Sequence, residues 1–309
     1  MIEAFDVLNF SMFGVNVGAF SRFALILIMF GMGLNLLPNH FKYIFSNSKA
    51  FLAGLFGQII LLPLIALIVI GIFEPSPEIS VGILIIACCP GAATSNFITY
   101  LARGELALSI SITAASGLLT IFTLPVIINT ALNFFEFADA AIRLPILKTI
   151  WNIASLTAAP VFVGIVVNII RPDLAYRLQK LVSLLSFAAL LAVMYSTGVE
   201  VKSEMSKMID IAFLPVFIMN AVMVCIGLML ASVLRLQRKE IITLGVEVGF
   251  QNYILAIVIA IDLLGNYLMS IPAIIYLFCM YFSASFIVGG AIYSMPGDGS
   301  QEDYQPKSQ

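Results

Sequence analysis

A carboxylate and two carboxamides interrupt an apolar run at residues 245–252, Gly-Val-Glu-Val-Gly-Phe-Gln-Asn. Glu247 and Gln251 are four residues apart, so on a helix they lie on one face. A carboxylate inside an apolar segment is costly unless it faces a polar cavity. Because a hard cation such as Na⁺ is bound by several oxygen atoms, this pattern predicts a cation site.

A second interruption lies at residues 88–96, Cys-Cys-Pro-Gly-Ala-Ala-Thr-Ser-Asn. Pro90 has no amide hydrogen and Gly91 tolerates unusual backbone angles, so we expect a helix to break here. Irregular backbone at membrane depth persists only where it is buried in protein or lines a polar cavity. The oxygens of Ser95 and Asn96 directly after the break therefore become candidate ligands of the same cation.

Three further polar side chains stand in apolar runs. Ser109 and Thr113 are four residues apart, and Gln58 precedes Pro63 in an earlier run. Serine and threonine in such helices often bond back to their own helix or tighten helix packing. They support the cation hypothesis only together with Glu247.

The composition requires a membrane protein. The chain has 309 residues, of which 61% are hydrophobic and 10% charged, and its mean hydropathy is +1.08. Recurrent apolar runs of about 20 residues favour helices over the roughly ten-residue alternating strands of a membrane barrel. The net charge of −2 gives no sign of nucleic-acid binding. One histidine, no His-Glu-x-x-His motif and no Gly-x-Ser-x-Gly motif speak against an enzyme.

Hydropathy and helix breakers predict an all-α integral membrane protein with nine transmembrane helices. The predicted spans are about 20–37, 50–73, 79–100, 107–130, 147–170, 181–199, 211–234, 241–264 and 271–294. Residues 1–19 are expected to be a short lead-in with no cleavable signal peptide, 20–294 a transporter domain, and 295–309 a disordered cytoplasmic tail.

The distribution of basic residues predicts the orientation. If the loop at 38–49 is cytoplasmic, ten lysines and arginines lie inside and five outside. The positive-inside rule then places the N-terminus outside and the C-terminus in the cytoplasm. We expect a multi-pass protein of the bacterial inner (cytoplasmic) membrane.

Two polar, broken segments in separate halves are typical of secondary carriers with inverted repeats. Spans five to nine, about 147–294, would form a five-helix repeat. Spans one to four, about 20–130, would form the other repeat with its first helix missing. The third span then corresponds to the eighth, and the two repeats have opposite orientations.

At these residues the sequence resembles the bile acid:sodium symporter family, including its bacterial members. The matching strings are Ile-Met-Phe-Gly-Met-Gly-Leu at 28–34, the segment 88–96, Thr-Tyr-Leu-Ala-Arg-Gly at 99–104 with Leu-Ser at 108–109, and Glu-Val-Gly-Phe-Gln-Asn at 247–252. The resemblance implies two sodium sites where two broken helices cross, in a core domain that moves against a smaller panel domain. It implies a first site of Ser95, Asn96, Ser109, Thr113 and Glu247, and a second of Gln58, Glu247 and Gln251 with the carbonyls of Val248 and Phe250.

The departures from the family pattern concern the substrate. Tyr253-Ile254 stands where the family commonly has Ser-Gly, residues 280–282 are Met-Tyr-Phe instead of a polar motif, and Ala93 replaces a frequent threonine. We therefore expect a smaller organic anion than a bile acid, bound near Asn252 and Thr94 and imported with two Na⁺ ions by alternating access.

Two alternatives stay open at this stage. One is a sodium-independent carrier that exports a metalloid or an organic anion, since Cys88 and Cys89 are soft ligands beside a break. The other is a membrane receptor that binds its ligand without transporting it. Oligomeric state does not follow from the sequence.

Overall fold

The computed structural model describes residues 11–12, 15–36, 48–135, 145–200 and 205–293. Two short strands, β1 (Ser11–Met12) and β2 (Val15–Asn16), pair in antiparallel fashion before the first helix. All remaining regular structure in these residues is helical. The α-helices are α1 Val17–Leu34, α2 Ser48–Phe56, α3 Leu62–Phe73, α4 Pro77–Cys88, α5 Ala93–Leu101, α6 Leu106–Phe134, α7 Ile146–Leu156, α8 Ala158–Ile170, α9 Pro172–Glu200, α10 Met205–Val233, α11 Arg238–Gly249, α12 Tyr253–Val258 and α13 Ile271–Tyr293.

Six of the described helical segments are long and apolar enough to cross a membrane. They are Ser48–Phe73, Leu106–Phe134, Ile146–Ile170, Ile209–Val233, Arg238–Leu263 and Leu268–Ala291. These six coincide with predicted spans two, four, five, seven, eight and nine. Ser21–Leu34 and Pro77–Cys88 are shorter apolar helices, and α9 covers the predicted sixth span. Together these segments make an integral all-α membrane protein with several spans.

Several observed boundaries differ from the predicted ones, and α10 begins at Met205 rather than at residue 211. The first helix begins at Val17 rather than at residue 20, and α9 begins at Pro172, nine residues before the predicted sixth span. Proline at the first position of α9 needs no hydrogen-bonded amide, so the helix begins there although its first turns are polar. The tail at 295–309, the loop at 38–47 and the first ten residues of the lead-in lie outside the described residues.

Two helices break where the sequence predicts. The third span ends as α4 at Cys88 and resumes as α5 at Ala93, because Pro90 cannot donate to the helix. The eighth span ends as α11 at Gly249 and resumes as α12 at Tyr253.

One π-helical turn occurs in each of the two spans that carry Gln58 and Glu247. The first, Gly57–Leu61, precedes Pro63, and the Leu62 amide donates to the Gly57 carbonyl. Since Pro63 has no amide hydrogen, the wider turn helps to absorb the change in hydrogen-bond register. The second, Ile259–Leu263, follows α12.

The broken eighth span lies at the centre of the protein. The most apolar window of Arg238–Leu263 is 100% buried, against 17% for the corresponding window of Ile146–Ile170. Helices α2, α4, α5, α6, α10 and α13 pack against this segment, whereas α1, α7, α8 and α9 pack mainly on one another. The two groups meet where α1 contacts α12 and where α6 contacts α7. The polar span is therefore shielded from lipid by protein.

Glycines bring α10 close to α11. A methyl group added at Gly227 would lie 2.4 Å from the Leu244 carbonyl oxygen and 3.0 Å from the Cα of Gly245. Small residues at such positions let two membrane helices approach backbone to backbone. This contact fixes the helix that carries Glu247.

Gly227→Ala should destabilise the protein by about 1–3 kcal/mol, because the added methyl group has no room beside α11. The measurement is the apparent melting temperature of the purified protein in detergent. Gly117→Ala is the matched control, since a methyl group there meets nothing within 4 Å and alanine is the better helix former. Equal melting temperatures for the two variants would contradict the close approach.

Candidate functional site

The two breaks meet, and a backbone hydrogen bond joins them. The Asn252 amide donates to the Pro90 carbonyl at 2.8 Å. Each broken segment thereby satisfies one of the backbone groups that the other segment leaves without a helical partner. The structure thus brings the two polar interruptions of the sequence into one place.

Glu247 is fully buried at this junction. The Ser109 hydroxyl donates to its Oε1 at 2.6 Å, and the Thr113 hydroxyl donates to its Oε2 at 2.7 Å. Among the described residues Glu247 forms no ion pair. A buried carboxylate is thus held by neutral hydroxyl groups from α6, as the four-residue spacing of Ser109 and Thr113 predicts.

The atoms beside the carboxylate are rich in oxygen. Asn96 Oδ1 lies 2.7 Å from Ser109 Oγ and 3.5 Å from Thr113 Oγ1. Since Ser109 has one hydroxyl proton, Asn96 Oδ1 and Glu247 Oε1 compete for it. Ser95 also interacts with Glu247, although its hydroxyl donates to the Ala92 carbonyl at 2.7 Å. This cluster, with one formal negative charge and few protons, can hold a hard cation.

A second group of oxygens lies next to the first. Gln58 Nε2 donates to Gln251 Oε1 at 3.0 Å, and Gln251 Nε2 donates to the Val248 carbonyl at 3.2 Å. Gln58 Oε1 is buried and has no hydrogen-bond partner. An unpaired buried carbonyl oxygen is costly, and a bound cation would remove that cost. Phe250, the fifth residue predicted for this group, is fully buried where α11 ends.

Gly91 connects the two groups. A methyl group there would lie 3.0 Å from Glu247 Oε2, 3.1 Å from Thr113 Oγ1 and 3.5 Å from Gln58 Nε2. The backbone of the first break therefore touches both sets of ligands. Only glycine leaves this space to the polar atoms.

Three residues that the sequence reading missed hold the second break in place. Asn220 Nδ2 and the Tyr276 hydroxyl each donate to the Gly249 carbonyl at 2.8 Å. Ser283 in turn donates to Asn220 Oδ1 at 2.5 Å. Asn220 is a lone amide in the apolar run of α10, which is the signal by which it could have been found.

Two side-chain atoms beside the junction lack partners. The Thr94 hydroxyl and Asn252 Nδ2 are both buried without a hydrogen bond, while Asn252 Oδ1 accepts from the Leu255 amide at 3.0 Å. These two residues were predicted to face the substrate. Their free polar atoms are suited to a ligand that supplies hydrogen-bonding groups.

The other candidates from the sequence pack against apolar or aromatic groups. Cys88 and Cys89 are buried in the main apolar core, and no cluster of three or more His, Cys, Asp or Glu side chains able to hold a metal occurs among the described residues. Tyr253, one of the departures from the family pattern, is buried and its side chain interacts with that of Tyr281.

Comparison with known proteins gives the family. The model of the sodium bile acid symporter family matches residues 22–208, which is more than half of the chain. A relative from Bacillus subtilis (strain 168), described as the uncharacterized sodium-dependent transporter YocS, is 28% identical over 258 residues, with 81% of this chain and 77% of the relative covered.

More distant relatives occur in plants and animals. The chain is 27% identical over 268 residues to the probable sodium/metabolite cotransporter BASS1, chloroplastic, of Arabidopsis thaliana, with 86% of this chain and 65% of the relative covered. It is 26% identical over 267 residues to the human P3 protein, covering 82% of this chain and 54% of that protein. This chain spans about two thirds of the plant relative's length and about half of the human one's. Its sequence match, its helical architecture and its two joined breaks agree: the chain belongs to the sodium bile acid symporter family.

Proposed function

We propose that this protein is a sodium-coupled symporter that imports a small organic anion. The observation that carries the proposal is the fully buried Glu247, which is surrounded by neutral oxygens and lacks an ion-pair partner among the described residues. The names of the Bacillus and Arabidopsis relatives, a sodium-dependent transporter and a probable sodium/metabolite cotransporter, support transport rather than enzymatic catalysis.

The first sodium ion binds at the hydroxyl side of Glu247. Its ligands are Ser95, Asn96, Ser109, Thr113 and Glu247. Support comes from the competition of Asn96 and Glu247 for the single proton of Ser109. A cation between these oxygens relieves that competition and neutralises the carboxylate.

The second sodium ion binds at the amide side. Its ligands are Gln58, Glu247 and Gln251 with the carbonyls of Val248 and Phe250. Support comes from the unpaired Gln58 Oε1 and from the position of Gly91 between Gln58 and Glu247. Because Glu247 is a ligand of both ions, binding of one ion changes the affinity of the protein for the other.

The anion binds where the half-helices begin. Thr94 lies in the first turn of α5, and the amide groups at a helix N-terminus favour negative charge. Asn252 lies in the other break and is bonded to Pro90 through its backbone. Sodium that orders the breaks also orders these two residues, so sodium and substrate must raise each other's affinity by the same factor.

The helix contacts support a division into two moving parts. Helices α1, α7, α8 and α9 form the panel domain, and the others form the core domain with both breaks. Nine spans in inverted repeats of four and five helices put the two termini on opposite sides of an inner membrane. The excess of lysine and arginine on one side then puts the N-terminus outside and the C-terminus in the cytoplasm. Alternating access is then a movement of the core against the panel.

Sodium should stabilise the wild-type protein more than potassium at equal ionic strength. Binding to the folded state alone adds about 2.7 kcal/mol when sodium is present at 100 times its Kd. Glu247→Ala should abolish the difference, as measured by melting temperatures in detergent. Glu78→Gln, which removes a carboxylate in the first turn of α4, is the matched control and should keep it. A sodium shift that survives in Glu247→Ala would refute the assignment.

Each sodium site should be separable by mutation. Gln58→Leu and Ser109→Ala should each lower the bound ²²Na⁺ from about two ions per chain to about one, because only Glu247 belongs to both sites. Ser111→Ala is the control on α6, since Ser111 donates back to the Ala107 carbonyl of its own helix at 2.7 Å. A stoichiometry of one in the wild type would reject the two-site arrangement.

A transport assay distinguishes a symporter from an exporter and from a receptor that does not transport its ligand. Proteoliposomes with an inward sodium gradient should accumulate at least one of a set of labelled small organic acids, and replacing sodium by potassium should stop uptake. The double variant Cys88→Ser/Cys89→Ser should keep this uptake, because both cysteine side chains pack in the apolar core. Loss of transport in that variant, with normal folding, would favour metalloid export.

A further inference from the structure

We propose that a second anion site lies between α1, α7 and the π-turn after α12, and that it takes a small organic carboxylate. It is separate from the junction of the two breaks. The identification of this carboxylate with the transported anion rests on the proposed function, whereas the binding site itself does not.

The site is a cavity of about 260 Å³. That volume is roughly nine times the share of one water molecule in the liquid, which suits a small organic acid. Residues from all three elements line it: Arg22, Pro145, Lys148, Thr149, Asn152, Ser155, Leu156, Asp262 and Leu263. Because α1 and α7 belong to one group of helices and the π-turn to the other, the cavity lies between the two groups.

The charges in the cavity favour an anion. Arg22 and Lys148 are basic, and Asp262 is the one acidic residue among those that line the cavity. Arg22 Nε pairs with Asp262 Oδ2, and the Arg22 side chain is 54% exposed while that of Asp262 is 9% exposed. A guanidinium group has five N–H donors and binds a carboxylate through two of them. The terminal nitrogens of Arg22 can therefore accept a second carboxylate.

A second cationic group and one free carboxamide complete the site. Among the described residues neither Lys148 nor the Asn152 carboxamide has a hydrogen-bond partner, whereas the Thr149 and Ser155 hydroxyls bond to backbone carbonyls of their own segment. The lining residues of α7 extend along one face of this 11-residue helix, from Pro145 just before it to Leu156 at its end.

An anion bound here shares Arg22 with Asp262, and the two carboxylates repel each other. The ion pair joins α1 to the segment that continues from the second break. A carboxylate that binds Arg22 weakens this ion pair, which connects the two groups of helices. Arg22 and Asp262 thus have opposite effects on the anion, which a purely structural ion pair would not produce.

Trp151 is a built-in reporter, because it is the only tryptophan in the chain. It lies one helical turn from Lys148 and one turn from Ser155, both of which line the cavity.

The experiment titrates the purified protein in sodium-free potassium buffer of constant ionic strength with acetate, butyrate and succinate. Cholate serves as an oversized carboxylate and dimethyl phosphate as a lipid-headgroup mimic. We expect a saturable change in tryptophan fluorescence with at least one small carboxylate.

Arg22→Gln and Asp262→Asn should change the Kd of the carboxylate in opposite directions. Arg22→Gln should weaken binding by roughly tenfold, as expected for a lost hydrogen bond to a charged group. Asp262→Asn should tighten it by roughly threefold, because a competing, partly exposed ion pair is removed. Lys148→Gln, a change at an exposed position, should also weaken binding. Lys180→Gln is the matched charge control and should leave the Kd unchanged.

Three results would overturn the site: no saturable change with any small carboxylate, a response to dimethyl phosphate or cholate alone, or shifts of the same direction for Arg22→Gln and Asp262→Asn. The sodium-free titration keeps this failure distinct from failure of the proposed function, because it needs neither bound sodium nor transport. A normal titration without any sodium-specific stabilisation of the wild type would reject sodium coupling and leave the anion site standing.

Discussion

A carboxylate buried at membrane depth is the constraint on which the rest of the structure depends. Glu247 has no exposed surface, and an ionised group in such a position costs several kcal/mol unless polar atoms surround it. Hydroxyls from α6 supply those atoms, and helices enclose the whole polar span. The close contact of α10 with α11 at Gly227 follows from the same need, because a loosely packed helix would admit lipid beside the charge.

The polar groups at the two helix breaks are of two kinds, bonded backbone groups and unpaired side-chain atoms. Backbone groups that the broken helices release are bonded firmly: Asn252 to Pro90, and Gly249 to Asn220 and Tyr276. Several side-chain atoms between them stay without partners, namely Gln58 Oε1, Thr94 Oγ1 and Asn252 Nδ2. The bonded backbone keeps these unpaired side-chain atoms together at the junction, where the proposed ions and substrate would supply the partners that they lack.

The sequence predicted the parts of this site that have a local signal. Glu247 stands out by charge, Pro90 by its missing amide, and Ser109 with Thr113 by helical spacing. The residues that hold the second break have weaker signals. Asn220 stands out only as a lone amide in an apolar run, and Asn220 and Tyr276 reach Gly249 across 29 and 27 positions of sequence, a pairing that only helix packing determines. The same holds for Arg22 and Asp262, which are 240 positions apart. Six spans followed from hydropathy, whereas the π-turns depend on how each helix meets its neighbours.

One continuous segment connects the junction to the second cavity. It runs from Asn252, whose amide is bonded to the first break, through α12 to Asp262 in the π-turn, and every residue of α12 is buried. A rigid, closely packed helix of this length transmits a displacement at one end to the other. Under the proposed function, sodium that orders the break would also set the position of Asp262 against Arg22, and a carboxylate at the proposed second site would act on the same segment from its far end. The two proposed sites would then be coupled through residues 252–263.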